Sequence, residues 1–252
     1  MLKQSGEVTS YAKIAEAAYF PSPPQMIDGF RFLPRFSNDR IKVYDDENGD
    51  LVVGIRGTKV TNVNDLIADY NIIKNTLRQD LSYKQVRDQV RTIIQTLGQN
   101  IILSGHSLGG AMVIELLTEF PNQIKAAYVF NSGIGVRKFI SDMATNLMCK
   151  VVPFTRKCKE LKLIKQKLHV FTTGRDPISL LSRFAPSDNV SLIKPLSSNV
   201  HSISNFTRGQ NLLGTLNPVR VPTNDVVEAI YNMKAPEVDS TANLAVDTAV
   251  EV

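Results

Sequence analysis

The sequence predicts an α/β fold, with a mostly parallel central sheet and helices on both faces. Two observations carry this. Strand-like and helix-like stretches alternate through the middle of the chain, and one strand passes into a buried helix through Gly105-His-Ser-Leu-Gly109. Such alternation builds βαβ units, whose crossovers lay helices across both sides of a parallel sheet. The 252 residues, 43% hydrophobic and 21% charged, suffice for a sizeable core. With no internal repeat and no strong linker, a single domain over 1–234 is expected, followed by a tail over 235–252.

In chain order, 8–19 is the first expected helix, with Val8, Tyr11, Ala12, Ala15, Ala18 and Tyr19 at helical spacing and Pro21-Ser-Pro-Pro24 as its stop. Strands over 41–46 and 51–56 flank Asn48-Gly49, a dipeptide suited to the positive φ of a hairpin turn. A helix is expected over 64–75 and another over 82–98. The second has apolar residues at 83, 86, 90, 93, 94 and 97, a Ser82-x-x-Gln85 capping box and Gly98 as stop. Strands follow over 124–130, 169–173 and 190–193, then a helix over 223–233. Beyond Ala235 there are four acids, no base and no aromatic residue, the composition of a disordered acidic tail.

The stretch 100–111, NIILSGHSLGGA, organises the rest. Strand, tight Gly-x-Ser-x-Gly turn and buried helix together describe a nucleophile elbow. The turn strains Ser107 and lifts its hydroxyl above the sheet, while Gly105 and Gly109 avoid clashes between strand and helix. The Leu108 N–H then points where an oxyanion would form. Chance gives about 0.05 occurrences of the bare pattern in a chain of this composition, so the match is a signal.

A serine hydroxyl needs a base, and this chain has three histidines. His106 adjoins Ser107 and points away from it. His169 opens a strand, where a core or edge position is expected. His201 lies in a Ser/Asn-rich loop after the last central strand, where a late-chain base belongs, and is the expected base. An acid must hold its tautomer, in the chain order Ser, acid, His. Of the carboxylates between 107 and 201, Glu115 and Glu119 sit in the helix after the elbow, Glu160 in a basic stretch, and Asp142 follows no strand. Asp176, just past the strand LHVFTTG, is the expected acid, with Asp188 second. A second oxyanion donor is expected from Thr58, where LVVGIRGT ends a strand.

Taken together, LVVGIRGT, NDLIAD, GHSLGGA, the strand with Gly-x-Asp-Pro and the histidine of HSISNF make the chain resemble the class 3 lipase family over about 8–206. The resemblance implies an α/β-hydrolase fold and a serine ester hydrolase, lipase or esterase, acting on lipid-like or small acyl esters without cofactor or metal. By position it implies Ser107 as nucleophile, Asp176 as acid, His201 as base, and Thr58 with Leu108 as oxyanion donors. It departs from the family in reading RQDLSYKQV where a histidine-x-glycine-phenylalanine type motif often stands, and in its compact 176–201 interval. A catalytically idle hydrolase fold used for binding, or an acyltransferase using the same residues, is the alternative.

Charge is uneven. The net charge is +5, and between Lys150 and Lys167 seven basic residues face one acid, Glu160. That stretch reads either as a basic cap meeting an anionic membrane surface or as a solvated helix face covering the core. Residues 61–81 are a second candidate lid. No nucleic-acid reader motif accompanies the basic run. The N-terminal residues carry Glu7 and Glu16 without a continuous apolar core, and no run of about 18 apolar residues exists. An intracellular protein, peripheral to membranes at most, is therefore expected, with Cys149 and Cys158 as free thiols. The triplets Asn189-Val-Ser and Asn205-Phe-Thr match the glycosylation pattern at the chance rate.

Overall fold

The structure, a computed structural model, describes residues 2–58, 77–98, 100–133, 136–173, 176, 185–208 and 217–218. All fall in one compact unit, 1–221. The helices expected over 64–75 and 223–233, the tail beyond 235 and most of the 61–81 segment lie outside the described residues.

The fold is α/β. Helix α1 (Leu2–Ala17) is followed by β1 (Met26–Ile27), β2 (Phe30–Phe32), β3 (Ile41–Asp45) and β4 (Leu51–Ile55). Next come α2 (Leu81–Leu97), β5 (Ile101–His106), α3 (Leu108–Glu119), β6 (Ile124–Phe130), α4 (Val136–Val151) and α5 (Arg156–Lys167). The described part ends with β7 (Leu168–Thr173), β8 (Asn189–Ile193), the single turn α6 (Ser204–Thr207) and β9 (Asn217–Pro218). The nine strands form one sheet in chain order. Strands β1 to β4 pair antiparallel, β4 to β8 pair parallel, and β9 adds antiparallel at the edge.

The parallel strands read as continuous apolar runs because both of their faces are covered. Every residue of β4 and β5 is buried. Side-chain alternation assigns the faces. Ser104 Oγ donates to the Tyr11 carbonyl of α1 at 2.7 Å, so Ile102, Ser104 and His106 point towards α1. There Tyr11, Ala12, Ile14 and Ala15 pack with Val52, Ile102, Phe130, Phe171 and Phe206. Gly105 points the other way, towards α3, where an added Cβ would lie 2.5 Å from the Gly109 carbonyl oxygen. Helices therefore cover both faces.

Two details of the helices differ from expectation. Helix α1 begins at Leu2 rather than near Val8, and it ends before Pro21 as predicted. Helix α2 is capped by Asp80, whose side chain accepts from Tyr83 N at 3.0 Å, and not by a box at Ser82; Gly98 closes it at φ +83°. An aspartate one residue before the helix answers the free N–H groups and the positive end of the helix dipole together.

Cys149 and Cys158 are not free thiols. They form a disulfide, because the last turn of α4 and the first of α5 stand side by side with Cα atoms 5.5 Å apart. Closing so short a loop constrains the unfolded chain by about 2.5 kcal/mol. Disulfides persist in oxidising surroundings, so the expectation of free thiols does not hold. No described helix is long and apolar enough to cross a membrane.

Candidate active site

Strand β5 ends at His106, and the chain turns sharply into α3 at Ser107. Ser107 has φ +57° and ψ −127°, a conformation that side chains avoid. Such strain costs on the order of 1–3 kcal/mol and persists only where the surroundings enforce it. Ser107 N donates to the Phe130 carbonyl at 3.1 Å, and the Ser107 carbonyl accepts from Gly110 N and Ala111 N at 3.0 and 3.2 Å. Gly109 can be nothing larger, because a Cβ there would run into the backbone of Ile55.

The same packing brings the end of β4 against the elbow. A Cβ on Gly57 would lie 2.8 Å from the His106 carbonyl oxygen and 3.2 Å from Leu108 N. Thr58, the next residue, is half-buried. Leu108 opens α3, so its N–H is among the leading donors that have no intrahelical acceptor, at the positive end of the helix dipole.

His201 and Asp176 meet. His201 Nδ1 and Asp176 Oδ2 are 2.9 Å apart, with both side chains buried. A carboxylate on Nδ1 holds that proton and turns Nε2 into the acceptor. The His201 ring packs against that of His106, with centroids 4.9 Å apart. Among the described residues, three buried side-chain polar atoms lack a hydrogen-bond partner: Ser107 Oγ, His201 Nε2 and Arg56 Nε. Orphaned buried polar groups are uncommon and ask for a reason. Two of these belong to the expected nucleophile and base, and the third lies two residues before Thr58.

The remaining candidates go elsewhere. His169 stacks on Tyr128 with centroids 4.6 Å apart. Asp188 is exposed in the turn before β8. Glu115, Glu119 and Glu160 bond to Arg78, Arg91 and Arg156. The side chain of Asp142 lies outside the described residues.

Sequence reasoning missed the groups that hold the His201 loop. Asn205 is buried; its Oδ1 accepts from Leu196 N and Ser197 N, and its Nδ2 donates to the carbonyls of Asn199, Val200 and Ser202. This residue of the glycosylation-like triplet is thus the hub of the loop that carries His201. Asn131, fully buried at φ +42°, accepts from Thr173 N and donates to the Val200 carbonyl at 2.8 Å, tying that loop to the ends of β6 and β7.

His106 also has work on the α1 side of the sheet. Its Nε2 lies 2.7 Å from the His201 carbonyl oxygen and its Nδ1 lies 3.0 Å from the Tyr19 hydroxyl. A carbonyl only accepts, so Nε2 carries the proton and Nδ1 accepts from Tyr19, whose oxygen accepts from Gly57 N at 3.1 Å. One chain of bonds therefore joins the turn after β4, the end of α1, the elbow and the His201 loop. Burial first, and then the neighbouring His201, push the His106 pKa down to about 3 from 6.5.

Between those values the unfolded chain binds a proton that the folded chain refuses, so stability falls as pH drops through 6.5 towards 3. Half-buried His169, also lowered by burial, acts in the same direction. Urea unfolding should show a lower midpoint at pH 5 than at pH 7, and His106→Gln should flatten that dependence. An unchanged slope in the variant would remove His106 as its source.

Comparison of the chain with protein-family models and with curated proteins finds no match to either.

Proposed function

We propose that this chain is a serine ester hydrolase with an α/β-hydrolase fold, similar in its site to class 3 lipases, and that it acts on acyl esters of lipid-like alcohols through an acyl-enzyme. The observation that carries this reading is the pairing of a strained Ser107 at an elbow with His201, whose Nδ1 is held by buried Asp176 while its Nε2 and the Ser107 Oγ are both without partners.

The proposed steps rest on these groups. His201 Nε2 takes the Ser107 proton as Oγ attacks the ester carbonyl carbon, and Asp176 stabilises the imidazolium that results. The carbonyl oxygen becomes an oxyanion facing the Leu108 N–H and Thr58, at the positive end of α3. Collapse of this intermediate breaks the carbon–oxygen bond, and His201 returns the proton to the departing alcohol. Water, deprotonated by His201, then attacks the acyl-enzyme, releasing the acid and regenerating Ser107. Ser107 is pre-set for this, since the strained turn points its oxygen without a competing hydrogen bond.

The test is turnover of p-nitrophenyl esters graded from acetate to palmitate. Saturable p-nitrophenol release that depends on Ser107 is expected, with kcat/KM changing along the series. Release no faster than the buffer rate for every ester, from protein shown to be folded, would overturn the reading.

A further inference from the structure

The α4–α5 corner exposes apolar residues that a protein of this size normally keeps separate. Half of the ten large hydrophobic side chains exposed among the described residues fall within eight positions: Leu147, Met148, Val151, Val152 and Phe154. Phe154 is 85% and Val151 78% exposed. Scattered exposed hydrophobics need no explanation, but a contiguous group marks a contact surface.

The corner is also rigidly built. Val152 N donates to the Met148 carbonyl at 2.9 Å, closing the last turn of α4, and Thr155 caps α5 by accepting from Cys158 N at 3.3 Å. The Cys149–Cys158 disulfide staples the two helix ends on either side of the tip. An apolar tip held out by a cross-link between two helix ends is pre-organised for something outside it.

Charge identifies that partner. Lys150, Arg156, Lys157, Lys159 and Lys162 surround or adjoin the tip and are exposed, while the acid of this stretch, Glu160, is taken up by Arg156 at 2.9 Å. The apolar face of α5, through Cys158, Leu161 and Ile164, is buried. The helix as a whole is therefore a covering helix with a solvated basic face, and the exposed apolar surface belongs to the corner beside it. Apolar side chains at a tip with a cationic collar match a bilayer whose headgroups are anionic and whose acyl chains lie just beneath.

We infer that the 147–154 tip docks this protein on an anionic lipid surface, with Val151, Val152 and Phe154 entering the acyl boundary and the Lys/Arg collar contacting headgroups. This adds to the esterase reading a surface on which lipid esters would be met. It is tested on Ser107→Ala protein, so that failure to dock and failure to hydrolyse are separate results.

The chain contains no tryptophan, so Phe154→Trp on the Ser107→Ala background makes the tip the sole indole reporter. With vesicles of equal phosphatidylglycerol and phosphatidylcholine, a blue-shifted emission quenched by brominated acyl chains is expected, and pure phosphatidylcholine should give at least tenfold weaker partitioning. Lys150→Gln and Lys157→Gln should each weaken binding about fivefold. Val151→Ser with Phe154→Ser, read by vesicle co-sedimentation, should cost at least about tenfold. Three results would each overturn the proposal: no blue shift with the anionic vesicles, equal binding to both vesicle types, or a blue shift that needs no lipid and grows with protein concentration, which would assign the tip to self-association.

Discussion

Ser107→Ala is expected to lower ester turnover by about 10⁴–10⁶-fold while leaving the fold as stable as before. The two halves of this expectation have different origins. The loss in rate follows from removing the oxygen that forms the acyl bond. The unchanged stability follows from what that oxygen does in the folded protein: it is buried and makes no hydrogen bond, so its removal forfeits none. Alanine inherits the positive φ of 57° at the same cost as serine. Ser107→Gly should go further and gain about 1 kcal/mol or more, because glycine accepts that backbone conformation freely. A residue whose replacement destroys activity and raises stability is held for chemistry and not for packing. His201→Ala should cost a similar factor, and the double variant should be little worse than either single one, since the pair acts as a unit. Steady-state kinetics with urea unfolding on the same samples measure both halves.

Asp176→Asn should reduce kcat by about 10⁴-fold with a far smaller effect on KM. The substitution keeps the shape of a side chain that is 1% exposed, so packing barely changes. What changes is the bond at 2.9 Å to His201 Nδ1. An amide that presents its NH₂ there moves the ring proton to Nε2, which can then no longer accept the Ser107 proton. An amide that presents its oxygen keeps the tautomer but offers no negative charge to the imidazolium. Either way the transition state suffers more than substrate binding, and kcat falls. A loss of less than about tenfold would mean that Asp176 only braces the loop, as Asn205 and Asn131 do.

The elbow was readable because its requirements are local. Two glycines, a serine and the switch from an apolar strand to an apolar helix all lie within a dozen residues, and backbone sterics alone fix their meaning. Asp176 and His201 were singled out by chain order and by the kind of loop they occupy, and the structure brings those two side chains together. The groups that make them meet were not readable. Tyr19 reaches His106 across 87 residues and His106 reaches the His201 carbonyl across 95. Hydrogen bonds at such separations leave no periodicity. Asn205 looked like a chance triplet because its partners, the Ser197 hydroxyl apart, are backbone groups, which have no sequence signature. The basic stretch over 150–167 was seen, but which of its apolar residues face the core depends on how α5 rolls onto α3 and β6. The disulfide depends on a corner between two helices, of which only the second was expected.

An activated Ser107 is tested most sharply by intact-mass analysis after exposure to a fluorophosphonate, followed by peptide mapping, on the wild type, Ser107→Ala and His201→Ala. One adduct on the wild type, mapped to Ser107, none on Ser107→Ala, and labelling of His201→Ala slower by orders of magnitude are expected. An unlabelled wild type that remains folded, with and without detergent or anionic vesicles, or an adduct mapped to another serine, would contradict an activated Ser107.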